Sequence, residues 1–133
     1  MTPADAVQTE APEKRGPTIL VVEDEVIVRM AFADALRDEG YNVIEAANGG
    51  EAREVLQTPF EIDLLITDIR MPGEPDGLAL ASSAREQRSN LKVLISSSHV
   101  PADRALVAAD LILQKPFRID ELVAAVEKLT GDA

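Results

Sequence analysis

Short apolar runs alternate with longer amphipathic stretches along the chain, and this alternation predicts its elements. The runs at 19–22 (ILVV), 64–67 (LLIT), 93–96 (VLIS) and 111–114 (LILQ) are nearly continuously apolar, as expected of strands covered on both faces. A fifth strand is expected at 42–46 (NVIEA). Between the strands, apolar residues recur at helical spacing. Segment 26–39 sets Val26, Met30, Ala33 and Leu36 on one stripe and stops at Gly40, a residue suited to a helix C-terminus. Segment 51–57 is entered through Asn48-Gly49-Gly50 and ends before Pro59, and segment 77–88 carries Leu78, Ala81 and Ala84. The last helix carries Ile119, Leu122, Val123, Val126 and Leu129, with Asp120 and Glu121 near its positively polarised N-terminus. Segment 101–109 has room for about two helical turns.

Strands alternating with helices build βαβ units and a parallel sheet. The fold expected is therefore α/β: a doubly wound, five-stranded parallel sheet with helices on both faces, over residues 18–130. Residues 1–17 hold three of the eight prolines and show neither periodicity, so they read as a flexible N-terminal tail. In such sheets ligands gather outside the carboxyl ends of the strands. Those ends carry Glu23-Asp24-Glu25, Asp68, Ser97-Ser98 and Lys115-Pro116.

Composition narrows the possibilities. With 46% hydrophobic and 3% aromatic residues, the core has to be aliphatic. A formal charge of −11 repels phosphate backbones, which argues against nucleic-acid binding. No cysteine is present, so disulfides, thiolate catalysis and Cys-based zinc sites are excluded. No run approaches the ~18 apolar residues of a membrane span and no signal-like segment opens the chain, so a cytoplasmic protein is expected.

Clustered carboxylates repel one another unless a cation lies among them. Mg2+ suits such a rim, since it accepts one or two carboxylates, waters and a phosphoryl oxygen. Asp68, ending the central strand, is the candidate nucleophile. Glu23 and Asp24 are then candidate metal ligands, with Ser97 as hydroxyl donor and Lys115 as a second positive charge.

In this arrangement, VVEDE, TDIRMPGEPDG, ISSS and QKPF, taken in order at successive strand ends, closely resemble the receiver domain of two-component response regulators. The resemblance implies the flavodoxin-like strand order 2-1-3-4-5. It also implies a phosphoryl group taken by Asp68 from a histidine kinase or phosphotransfer protein, with Mg2+ required. By motif, Glu23, Asp24, Asp68 and the Arg70 backbone carbonyl hold the metal, while Ser97 and Lys115 contact the phosphoryl group. The Lys115-Pro116 bond resembles the family's cis peptide. A signalling phosphoacceptor that assists its own phosphorylation and dephosphorylation is implied, rather than a turnover enzyme. It would act as a monomer or weak dimer through an unidentified downstream protein. Only 130–133 follow the last helix, so a stand-alone receiver is expected.

Two features depart from the family. Ile112 stands where most receivers carry Tyr or Phe, so there is no ring to rotate. The interval from Ser97 to Lys115 is short by about one helical turn, and phosphorylation is expected to reorder segment 98–109 instead. Arg70 and His99 stand where they would lean over the acyl phosphate, and Arg70 is expected to slow hydrolysis. Glu74 and Asp76 read as solvent or cap acids. Two other readings compete: a pseudo-receiver binding partners without phosphorylation, and an aspartyl-nucleophile phosphohydrolase. The second wants another acid where this chain has Arg70.

Overall fold

The computed structural model describes residues 16–70, 73, 75–98 and 109–131. Five strands form one parallel sheet: β1 (Thr18–Val22), β2 (Asn42–Ala46), β3 (Leu64–Asp68), β4 (Lys92–Ser97) and β5 (Leu111–Gln114), in the order β2-β1-β3-β4-β5. Four helices lie among the described residues: α1 (Val26–Asp38), α2 (Gly49–Leu56), α3 (Gly77–Gln87) and α4 (Ile119–Thr130). The predicted fold class and strand order are therefore present. The helix expected within 101–109, His99 and the tail up to residue 15 lie outside the described residues, as do Met71, Pro72 and Glu74.

Period-two alternation sends successive side chains to opposite faces of each strand. On one face Leu20, Val22, Leu65, Val93 and Ile95 pack against Ala52 and Leu56 of α2 and Leu80, Ala81 and Ala84 of α3. On the other, Ile19, Val21, Leu64, Ile66 and Leu94 meet Phe32 and Leu36 of α1 and Leu122, Ala125 and Val126 of α4. Leu94 and Leu36 have no exposed surface, and each such side chain contributes roughly 1.5–3 kcal/mol relative to exposure. Phe32 and Phe117 add a tilted ring contact with centroids 5.8 Å apart.

The stripe expected on α1 needs correction. Val26 and Met30 are 53% and 48% exposed, whereas Phe32, Ala33 and Leu36 are buried. The helix starts directly after the turn at the carboxyl end of β1. Its inward face runs through positions 29, 32, 33 and 36, and a polar residue, Arg29, fills the first inward place. The helix stops as expected at Gly40, whose φ of 96° suits glycine. Helix α2 begins two residues early, because the Asn48 side chain accepts a hydrogen bond from the Glu51 N–H and draws Gly49 and Gly50 into the first turn. Asp76 caps α3 through the Ala79 N–H, the cap role expected for it.

Candidate functional site

Asp68 is the last residue of β3, with β1 and β4 on either side. Its Oδ2 accepts a 2.6 Å hydrogen bond from Lys115 Nζ, which arrives from the residue after β5. Its Oδ1 faces the Arg70 backbone N–H at 3.4 Å, and the Arg70 side chain is exposed. Ser97 closes β4, is 4% exposed, and its carbonyl accepts from the Lys115 N–H at 2.7 Å, so the ends of β4 and β5 are locked together. The Lys115-Pro116 peptide is cis, as the motif implied.

On the other side of Asp68 lies the turn after β1. Glu23 is 3% exposed and its Oε2 accepts from the Glu25 N–H at 3.1 Å, whereas Asp24 is exposed. Burial pushes the Glu23 carboxyl above the usual range and Asp24 adds to that, while the Glu25 N–H and the charge of Lys115 pull it back. For Lys115 burial acts downward, but the Asp68 hydrogen bond and charge, with Glu23 and Glu25, outweigh it and raise the ammonium. Four acids and one lysine therefore act on one another at this rim.

Among the described residues no three acidic or histidine side chains close into a ready-made metal cage. Mg2+ does not require one, since it keeps several waters and takes one or two carboxylates. The side-chain donors here are carboxylate oxygens, the chemistry a hard cation selects, and buried Glu23 carries a desolvation cost that a cation would relieve. The residues fit the ion.

Ile112 pairs with Ile95 and Gln114 with Ser97, so Ile112 lies on the same face as Ser97 and packs into the aliphatic cluster under α2 and α3. Sequence reasoning missed two backbone contacts. A Cβ on Gly77 would lie 1.7 Å from the Asp68 carbonyl oxygen, and one on Gly49 would lie 2.1 Å from the Pro75 carbonyl oxygen. Glycine at these helix starts lets α3 and α2 close onto the loop leaving Asp68. The available signal was glycine at the first position of each helix, a place where it carries a propensity cost.

Residues 19–127 match the response regulator receiver domain family. The aerobic respiration control protein ArcA of Escherichia coli (strain K12) is 35% identical over 116 residues, covering 85% of this chain and 48% of that protein. The DNA-binding transcriptional regulator NtrC of the same strain is 40% identical over 116 residues, covering 83% of this chain and 24% of that protein. The chain thus spans half or less of the length of these relatives. Among solved structures, a response regulator receiver protein from Sinorhizobium medicae WSM419 superposes with a TM-score of 0.79 at 36% identity, covering 87% of this chain and 95% of that one. The response regulator TrrA from Thermotoga maritima, solved with Mg2+ and BeF, gives 0.76 at 35% identity, covering 85% and 98%.

Proposed function

Because the chain belongs to the response regulator receiver domain family, a signalling family, we propose that residues 18–130 form a receiver that takes a phosphoryl group onto Asp68. The donor would be a histidine kinase or phosphotransfer protein, and the output a change in protein contacts. The observation that supports this reading best is the 2.6 Å contact between Lys115 Nζ and Asp68 Oδ2, a cation already seated where charge would accumulate.

An Asp68 oxygen forms the new P–O bond as the P–N bond to the donor imidazole breaks, leaving the electron pair on nitrogen. Lys115 then exchanges its carboxylate partner for a phosphoryl oxygen, with the Ser97 hydroxyl serving a second oxygen. Glu23, Asp24, Asp68 and the Arg70 carbonyl would hold Mg2+, which when bound neutralises charge on the transferring oxygens.

Incubation with a radiolabelled small-molecule phosphodonor and Mg2+ tests the reading. Label on the wild type, lost in Asp68→Asn, is expected. No label under any donor would favour the pseudo-receiver, and steady turnover of an added phosphoester would favour the hydrolase. Arg70 is proposed to slow hydrolysis, since its backbone leans on Asp68 and its side chain is free to cover the rim. Arg70→Ala should shed label several-fold faster, and an unchanged half-life would sink that role.

A further inference from the structure

We propose that Arg29 is a positioning residue for the acidic turn: it fixes the Glu23–Asp24 peptide, and through it the direction in which Asp24 meets a divalent cation. This rests on the receiver reading of Glu23 and Asp24 as metal ligands.

The turn begins where β1 runs out of partners. The Glu23 N–H still donates to the Ala46 carbonyl at 3.1 Å, but the Glu23 carbonyl lies past the end of the sheet. Arg29 Nη1 donates to that oxygen at 2.8 Å. The carbonyl shares one rigid plane with the Asp24 nitrogen and Cα. The Glu23 N–H ties the preceding peptide to β2 and the Glu23 C=O ties this one to α1, so rotation about the Glu23 bonds between them is restrained from both ends and the Asp24 Cα is held in place.

Arg29 is itself held. Its Nε donates to Glu45 Oε1 at 3.3 Å, and its side chain is only 16% exposed. The other Glu45 oxygen accepts from Arg37 Nη1 at 3.1 Å, and Arg37 Nη2 donates to the Val43 carbonyl at 3.1 Å. Two guanidinium groups and one carboxylate thus connect β2 to the turn. The task needs a planar fork with donors pointing two ways, which arginine has and lysine lacks. Arg29 also adds positive charge beside three consecutive acids while occupying a carbonyl, so it takes up no carboxylate lone pair of the turn itself.

The test measures Mg2+ affinity from amide chemical shifts at constant ionic strength, alongside thermal unfolding in EDTA and labelling at saturating Mg2+. Arg29→Met should raise the Mg2+ dissociation constant roughly tenfold, the effect of losing one charge-assisted hydrogen bond. Labelling at saturating Mg2+ should return close to wild type. Arg29→Lys keeps the charge and should recover only part of the affinity. Glu45→Gln, which removes the charge that holds the guanidinium but leaves its carbonyl bond, should weaken Mg2+ about two- to threefold, and it serves if Arg29→Met does not fold. Wild-type affinity in folded Arg29→Lys and Glu45→Gln would overturn the role. A wild type that shows no Mg2+-dependent shifts at Glu23, Asp24 or Asp68 would instead overturn the receiver reading, and this proposal with it.

Discussion

Two backbone segments frame Asp68, and they are held by different physics. The turn 23–25 is fixed by directed hydrogen bonds: Glu23 N–H to Ala46, Arg29 to the Glu23 carbonyl, and Glu25 N–H to the Glu23 carboxylate. The loop after Asp68 adds close approach to its hydrogen bonds: the Gly77 N–H donates to the Ile69 carbonyl at 2.9 Å, while Gly77 lies against the Asp68 carbonyl and Gly49 against that of Pro75. Hydrogen bonds fail gradually when a partner is replaced, because water or another donor takes up part of the loss. Backbone contact without a Cβ has no such fallback, because the added atom has nowhere to go.

The contrast is sharpest at Gly77. Alanine there would put a Cβ 1.7 Å from the Asp68 carbonyl, so Gly77→Ala should cost about 3 kcal/mol or more, read by chemical denaturation. Mild destabilisation would mean that the acceptor loop yields easily, and the comparison would break. Next is the pair inside α2. Gly49→Ala meets the Pro75 carbonyl at 2.1 Å, whereas a Cβ at Gly50 meets only the Asn48 side chain at 3.3 Å. Gly50→Ala should stabilise by up to roughly 1 kcal/mol from helix propensity, and Gly49→Ala should destabilise by about 1–2 kcal/mol despite the same gain. Equal values at the two positions would deny the contact with Pro75. Asp76→Ala, which removes the α3 cap, should cost about 1 kcal/mol in the same assay.

The smallest effect is on the hydrogen-bonded side and depends on pH. The Glu23 carboxyl is raised in the fold, chiefly by burial, so between its unfolded pKa near 4.5 and the raised value the native state holds more protons than the unfolded one. Its contribution to stability therefore falls as pH rises through that window. Glu23→Gln should raise the melting temperature at neutral pH in EDTA, with the gain vanishing below about pH 4. A gain that persists in acid would assign the effect to packing.

The fold was legible because four strands are almost purely apolar, and a buried parallel sheet leaves little other choice of pattern. The candidate residues could be placed at strand ends for the same reason: Glu23 and Lys115 follow β1 and β5, and Asp68 and Ser97 are the last residues of β3 and β4. What stayed hidden was tertiary. Val26 and Met30 match the helical period as well as Phe32 and Leu36 do, and only docking of α1 on the sheet decides which set is buried. Arg29 reads as an ordinary solvated helix arginine until the Glu23 carbonyl is seen to end beside it. Gly49 reads as a turn residue and Gly77 as an ordinary helix start until the backbone that crosses them is in place.

The sheet also divides the molecule into two compartments, α1 and α4 on one side and α2 and α3 on the other, with separate hydrophobic clusters. The turn 23–25 leads into the first and the acceptor loop into the second, and Asp68 stands on the partition between them. Stability changes made on opposite sides should accordingly add, since distant sites without shared partners behave independently. Epistasis should be confined to the rim, where charges on the two sides act on one another and a cation or phosphoryl group would join them. That leaves each compartment free to drift in sequence by itself, answerable to the other only through the chemistry at their shared edge.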